Sequence, residues 1–250
     1  MKTLKKDNLT VYISDSRPAM GKAAATVCAD FIRTLFAEKE EINVVFAAAP
    51  SQNEFLEELL KTDVDFSRIN AYHMDEYVGL KPTDKQSFAT YLTEHIFGKA
   101  PFKSIHVIDT SVGAEQACEN YTKLLTENKI DLVCMGIGEN GHIAFNDPPV
   151  ADFADPYVIK KVQLDEICRN QQVNDKCFET LNDVPRYALT LTIPTLMSAK
   201  YIVCTVPATT KAQAVKHTLN DEISTACPAT ILRTHANAVM FLDQDSSALL

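Results

Sequence analysis

The sequence lacks the features of a secreted, membrane-spanning or zinc-stabilised protein. Its first ten residues are polar and lysine-rich rather than apolar like a signal peptide. No apolar run approaches the roughly 20 residues of a membrane-spanning helix. The seven cysteines are scattered, none forms a C-x-x-C pair, and no Cys/His cluster suggests a metal site. We therefore expect reduced thiols, a cytoplasmic location, no metal and no membrane partner.

The chain also lacks an excess of positive charge. It carries 24 Lys and Arg against 33 Asp and Glu, which gives a formal net charge of -9. General nucleic-acid binding needs a basic surface and is disfavoured. A phosphorylated small molecule remains possible, because a few local cations and helix N-termini can bind one phosphate.

No linker rich in glycine, serine or proline divides the 250 residues, so we expect one domain over residues 1–250. Short apolar runs alternate with helical segments, which predicts an α/β fold: a Rossmann-like, mainly parallel sheet with helices on both faces. Strands are predicted at 9–13, 42–47, 69–74, 104–108, 130–135, 157–162, 187–193, 200–206 and 238–242. Helices are predicted at 20–36, 51–60 (with Ser51 as its N-cap), 87–97, 114–127 and 209–219. Chemistry should then lie in loops after the strands.

Glycine is scarce, yet three of the seven glycines fall within six residues. Gly136, Gly138 and Gly141 begin the segment 136–149 (GIGENGHIAFNDPP), directly after predicted strand 130–135. Formally this is G-x-G-x-x-G, a dinucleotide-binding pattern. The segment lies past the middle of the chain and runs into two prolines rather than a helix, which disfavours that interpretation. Glycine here permits positive φ and close approach of the backbone to a ligand.

His142 is the only histidine of this segment, with Asn140 and Asp147 close by in sequence. A carboxylate near an imidazole fixes its tautomer and raises its basicity, which suits a general base near neutral pH. The alternative is a hydrogen-bonded structural histidine in a glycine turn.

A second candidate site is segment 74–80 (MDEYVGL), which follows predicted strand 69–74. Asp75 and Glu76 could supply acid–base chemistry, or they could be a solvated turn. Because adjacent residues of an extended segment point to opposite sides, only one of the two should face a pocket.

Together these segments resemble the glucosamine-6-phosphate deaminase/isomerase family. Both motifs occur in the family's order and at similar separation, and residues 87–88 (SF), 184–190 (VPRYALT) and Lys211 add further matches. The resemblance covers residues 42–243. The related 6-phosphogluconolactonases share the G-x-G-x-D-G-H core, but residues 76–79 and 145–148 fit the deaminases better.

The resemblance implies a role for each catalytic candidate. His142 would open the pyranose ring, Asp147 would orient and polarise His142, and Asn140 would complete that hydrogen-bonded group. Asp75 would move a proton from C2 to C1 through a cis-enolamine. Water would then release ammonia and leave fructose 6-phosphate, without metal or organic cofactor. The family often has Asp at the position of Asn140 and Glu at that of Asp147.

The resemblance also implies a sugar-phosphate partner and candidate phosphate-binding residues. These are Ser51, Gln52, Asn53, Lys211 and Lys176, with Arg169 as an alternative to Lys176, alongside the backbone at Gly138 and Gly141. Family members usually carry a loop rich in Gly, Ser and Thr after the second strand, whereas this chain has residues 46–53 (FAAAPSQN). The identity of the sugar and of its anionic group therefore stays open, as do homo-oligomerisation and allosteric regulation.

Two other functions compete with deamination of an amino-sugar phosphate. One is a different isomerase or a 6-phosphogluconolactonase. The other is a non-catalytic sugar-phosphate sensor, which the alanine-rich loop favours and the retention of Asp75, His142 and Asp147 disfavours.

Overall fold

The computed structural model describes residues 1–174 and 176–250, and it arranges eleven strands of this part of the chain in two sheets. The strands are β1 (Lys2–Lys6), β2 (Leu9–Ile13), β3 (Ile42–Phe46), β4 (Ile69–His73), β5 (Asp75–Tyr77), β6 (Ser104–His106), β7 (Leu132–Met135), β8 (Ile159–Gln163), β9 (Tyr187–Leu191), β10 (Tyr201–Val206) and β11 (Ala238–Leu242). The α-helices are α1 (Arg17–Phe36), α2 (Asn53–Leu59), α3 (Phe88–Leu92), α4 (Ala114–Glu127), α5 (Glu166–Asn174), α6 (Ile193–Met197) and α7 (Ala212–Asn220).

The large sheet has the strand order β1-β2-β11-β10-β7-β3-β4-β6. Every pair in it is parallel except the hairpin of β1 and β2 at one edge. Parallel neighbours require crossover connections, and the intervening helices supply them. The predicted α/β fold with a mainly parallel sheet is confirmed.

Both faces of the large sheet are covered, because alternate side chains of its central strands enter two different cores. On β3, Val44 and Phe46 pack with α1 and α2, whereas Val45 packs on the opposite face with α4 and α7. Such strands are apolar on both sides, which explains why β7 is a continuous apolar run and why β3 is apolar except for Asn43.

A second, three-stranded antiparallel sheet with the order β5-β9-β8 was not expected. The sequence predicts β8 and β9 as strands, but the mainly parallel sheet does not contain them. The edge strand β1, the short β5 and the helices α5 and α6 were not predicted. Since β1 is polar and lysine-rich, it has no buried face that periodicity could reveal.

The start of α2 differs from the sequence-based expectation, and this position lies next to the site. Ser51 was predicted to cap helix 51–60, and this is wrong: it lies in the 3-10 turn Pro50–Gln52, and α2 begins at Asn53 without a side-chain cap. Pro50 explains the difference, because its fixed φ starts the turn before Ser51. Among the described helices, none combines the length and apolarity needed to cross a bilayer.

Five parallel strands deliver their following loops to one edge of the large sheet. These are β2, β3, β4, β7 and β10, whose carboxyl ends lie side by side or one strand apart. Ligands of open α/β sheets bind at this edge, near the point where the chain reverses the direction in which strands are added.

Candidate active site

One cavity lies at the carboxyl edge of the large sheet, and the loops after all five of these strands contribute to it. Asp75 follows β4, His142 follows β7, and Lys211 follows β10. The loop after β3 supplies residues 47–52. The structure therefore brings Asp75 and His142, which are far apart in sequence, to the same cavity.

Asp75 and Glu76 point to different sides of the short strand β5. Asp75 lines the cavity, whereas Glu76 is buried behind it and accepts backbone N–H groups from Tyr77, Phe88 and Ala89 at 3.0–3.1 Å. The expectation that one member of the pair faces the pocket is confirmed.

The electrostatics of this pair favour protonation. Burial, and then the neighbouring charge of Glu76, raise the pKa of Asp75 well above its usual range. Burial raises the pKa of Glu76 to about 7, against three backbone N–H bonds that act to lower it. A carboxyl group with a raised pKa in a cavity can exchange a proton near neutral pH, as an acid–base catalyst must.

His142 is held by the two polar residues that flank it in sequence. Its Nδ1 lies 2.9 Å from Asp147 Oδ1, and the same oxygen accepts a 2.9 Å hydrogen bond from Asn140 Nδ2. Asn140 Oδ1 in turn accepts the backbone N–H of His142 at 3.0 Å. With Nδ1 directed at Asp147, Nε2 is the nitrogen left for a ligand in the cavity.

Asp147 lies behind His142 and does not line the cavity. Burial acts to raise the pKa of Asp147, but the hydrogen bonds and charge of His142, with the Asn140 amide and the Cys168 thiol, lower it below its usual value. The surroundings of Asp147 therefore favour its ionised form beside the imidazole of His142. The potential ligand atoms of His142, Asp147 and Cys168 lie within 4.8 Å of one another.

The glycines of the motif make room for side chains. At Gly138 an added Cβ would lie 2.1–2.3 Å from three imidazole ring atoms of His142. At Gly141, where φ is +79°, it would lie 2.5 Å from Cys227 Sγ. Gly138 lines the cavity and Gly141 does not. The residues after Gly141 form turns rather than a helix, so the segment lacks the helix of a dinucleotide-binding motif.

The predicted phosphate-binding residues divide into two groups. Ser51, Gln52 and Lys211 line the cavity. Gln52 is already engaged, because its Oε1 accepts a 2.9 Å hydrogen bond from Thr205 and its Nε2 donates to Ser51 Oγ at 3.1 Å. Lys211 is only 6% exposed although it is a lysine, as expected of a cation that faces a binding cavity rather than bulk solvent.

The remaining candidates lie elsewhere. Lys176 lines a neighbouring cavity that shares Ala48, Ala49, Pro50 and Phe88 with the first. Its alternative, Arg169, donates to the carbonyls of Leu181 and Val184, and Asn53 Oδ1 accepts from the Tyr91 hydroxyl. Neither Arg169 nor Asn53 lines the cavity of Asp75 and His142.

Several site residues were missed by sequence reasoning. Arg17, at the start of α1, and Gln171 and Gln172, on α5, line the cavity. Asn146 lies behind it and donates to the carbonyls of Ile143 and Leu191 at 2.9 Å, which ties the motif to β9. Asn146 could have been found from its place in the motif. Arg17 and the glutamines belong to no recognisable pattern.

The fold and the site together define an acid–base site at the carboxyl edge of a doubly wound α/β sheet. A buried carboxyl group and a carboxylate-supported imidazole face one cavity, and a buried lysine lies on another side of it. Such a combination can move protons on a small anionic molecule.

Comparisons with known proteins agree with this class. The sequence profile described as "Glucosamine-6-phosphate isomerases/6-phosphogluconolactonase" matches residues 15–153. The chain is 38% identical over 195 residues to a glucosamine-6-phosphate deaminase of Ligilactobacillus salivarius, covering 78% of this chain and 81% of that protein. It is 37% identical over 212 residues to a Bacillus cereus enzyme of the same name, and the match covers 84% of this chain and 79% of that enzyme.

Solved structures give the same result. A monomeric glucosamine-6-phosphate deaminase aligns with a TM-score of 0.87 and 26% identity, over 96% of this chain and 99% of that one. A 6-phosphogluconolactonase of Thermotoga maritima shares the fold at a TM-score of 0.77 and 21% identity, over 94% of this chain and 99% of that one. This chain belongs to the glucosamine-6-phosphate isomerase/6-phosphogluconolactonase family.

Proposed function

We propose that the protein converts an amino-sugar phosphate, glucosamine 6-phosphate, into fructose 6-phosphate and ammonia. The observation that carries this proposal is the presence of Asp75 and His142 on one cavity, with Asp147 behind His142. Relatives with 37–38% identity that bear the name glucosamine-6-phosphate deaminase support it.

The first step is ring opening at His142. The imidazole takes the proton of the O1 hydroxyl and delivers a proton to O5 as the C1–O5 bond breaks, which leaves an open-chain aldehyde. Asp147 Oδ1 lies 2.9 Å from Nδ1, so Nε2 is the nitrogen that accepts and returns this proton. Asn140 Nδ2 donates to the same oxygen of Asp147, which limits rotation of the carboxylate.

The second step is proton transfer at Asp75. The Asp75 carboxylate removes the proton from C2 and the ammonium group of the substrate passes a proton to the aldehyde oxygen O1, which produces an enolamine. The resulting Asp75 acid then returns a proton to C1, which gives a protonated imine at C2. Water adds to that carbon, the C–N bond breaks, and ammonia leaves with the ketone in place. The reaction consumes one water and uses the same carboxyl group as base and then acid.

An ammonia-release assay tests the proposal. Purified protein is incubated with glucosamine 6-phosphate, galactosamine 6-phosphate, N-acetylglucosamine 6-phosphate and 6-phosphogluconolactone. We expect ammonia and fructose 6-phosphate in equal amounts from the first compound. Hydrolysis of the lactone without ammonia from any amino sugar would contradict the proposal, and ligand binding without turnover would indicate a sensor.

A further inference from the structure

The first four residues of the cavity wall after β3 carry no side chain that binds anions. Ala47, Ala48, Ala49 and Pro50 offer no hydroxyl, and Pro50 has no N–H. Within residues 1–174 and 176–250, the backbone N–H groups of Ala48 and Ala49 donate to no protein acceptor. The loop can thus supply two backbone donors, but no positive charge.

A cation from a different element lies against this loop. Arg17, the first residue of α1, lines the cavity, and its Nη2 donates to the carbonyl oxygen of Pro50. Its Nε lies 2.8 Å from Glu54 Oε1. The guanidinium is therefore fixed in orientation on the alanine-rich loop, and its side chain is 33% exposed.

The close packing of α1 on α2 explains how Arg17 reaches the loop. A Cβ at Gly21, one turn after Arg17, would lie 2.6 Å from Glu54 Cβ. Only glycine allows the two helices to approach this closely. The approach brings both Glu54 and Pro50 into contact with the guanidinium, so its position follows from helix packing.

We infer that Arg17, alongside Lys211, binds the anionic group of the substrate at the wall where residues 47–50 carry no hydroxyl. This rests on the proposed function, since the anion is the phosphate of the sugar. One Nη2 hydrogen is donated to Pro50, and Nε is buried at ion-pair distance from Glu54 without a hydrogen-bond partner. Among the described residues, Nη1 donates to no protein acceptor. A guanidinium with free N–H groups binds phosphate oxygens strongly.

The charges near the loop agree with this assignment. Glu54 offsets one positive charge, and its other oxygen, Oε2, is buried without a hydrogen-bond partner. Arg17 and Lys211 bring two cationic side chains to the part of the cavity beside the alanine-rich loop, and opposite charge attracts a phosphate there.

Kinetics of Arg17 variants test this inference. We expect Arg17→Ala to raise the KM for glucosamine 6-phosphate about 10- to 100-fold, with kcat within about threefold of wild type, because a charged hydrogen bond is lost. Arg17→Gln, which keeps a donor for Pro50 without the charge, should do the same, and Arg17→Lys should recover part of the loss. Arg33→Ala is the matched control, since Arg33 is on the same helix, pairs with Asp30 and Asp63, and does not line the cavity.

A binding measurement separates this inference from the proposed reaction. Thermal stabilisation by glucose 6-phosphate, relative to glucose, is measured for wild type and for folded Arg17→Gln. Loss of the phosphate-dependent stabilisation in Arg17→Gln supports the inference, even if wild type releases no ammonia. Wild-type KM and wild-type phosphate-dependent stabilisation in Arg17→Gln would overturn it, even if ammonia release is fast.

Discussion

The two sides of the cavity follow the family pattern to different degrees. The acid–base wall consists of Asp75 and His142 with Asp147 behind it, and all three lie in the two motifs by which the sequence resembles the family. The anion wall consists of residues 47–52, Arg17 and Lys211, and its first four loop residues carry no hydroxyl. The proposed catalytic residues therefore lie in short local motifs. The proposed anion site, in contrast, depends on packing between elements that are distant in sequence.

The largest effect is expected at Asp75. Asp75→Asn removes the proposed base for C2 without changing side-chain size, so kcat should fall by about 10³-fold or more while ligand binding is retained. The measurement is deuterium exchange from solvent into the substrate and product, with calorimetric binding of the same substrate in parallel. Asp63→Asn, at a carboxylate whose side chain is 80% exposed, is the control. Normal exchange in Asp75→Asn would remove this carboxyl group from the mechanism.

His142 should show a loss that depends on the form of the sugar. His142→Gln is expected to lower turnover of the pyranose about 100-fold. It should have little effect on a 5-deoxy analogue, which cannot close the pyranose ring. Ammonia release is compared for the two substrates. An equal loss on both would mean that His142 does not act in ring opening.

Gly138 tests whether the position of the imidazole matters. Gly138→Ala places a methyl group 2.1–2.3 Å from the His142 ring, so the ring must move, and we expect kcat to fall about 10- to 100-fold. Thermal unfolding checks that the variant folds. Gly113→Ala is a control for glycine replacement without a clash: a Cβ there meets no atom within 4 Å, and its cost comes from the φ of +94° alone. Full activity in a folded Gly138→Ala variant would contradict this account of the motif.

Lys211 should affect binding more than chemistry. Lys211→Ala is expected to raise KM by about tenfold for phosphorylated substrates, because it removes one of the two cations of the anion wall. Competition by inorganic phosphate should weaken in parallel. If the variant still prefers glucosamine 6-phosphate over glucosamine as strongly as wild type does, the anion binds elsewhere.

Glu76 should produce the smallest effect, a displacement of the pH profile. Asp75 must be ionised to act as a base, so kcat/KM should rise with pH through the raised pKa of Asp75. Glu76→Gln removes the neighbouring negative charge, which lowers the pKa of Asp75 and moves this rise to lower pH. The measurement is kcat/KM as a function of pH for wild type and variant. A rise at the same pH as in wild type, or at higher pH, would contradict this expectation.

Sequence reasoning reached the acid–base wall because its residues lie in two short motifs directly after buried strands. The strand β7 is almost wholly apolar, and the glycines that follow it mark the loop that carries His142. The position of β5 could not be predicted, because three residues are too short for a periodic pattern, and the partner β9 is more than 100 residues away.

The anion wall was harder to predict for a physical reason. Arg17 reaches the cavity only because Gly21 allows α1 to approach α2 closely. No sequence pattern at either residue predicts this close packing of the two helices. Gln171 and Gln172 depend on α5, a polar helix that the sequence did not reveal. Long-range packing, rather than local propensity, decides these positions.

The central claim is that Asp75 and His142 act on one bound hexose whose phosphate lies at Arg17 and Lys211. A crystal structure with the open-chain analogue 2-amino-2-deoxyglucitol 6-phosphate tests it most directly. The account predicts the Asp75 carboxyl group within about 3.5 Å of the C1–C2 end, His142 Nε2 near O5, and both cations at the phosphate. An analogue bound with its phosphate against Asp75, or touching only one of Asp75 and His142, would contradict it.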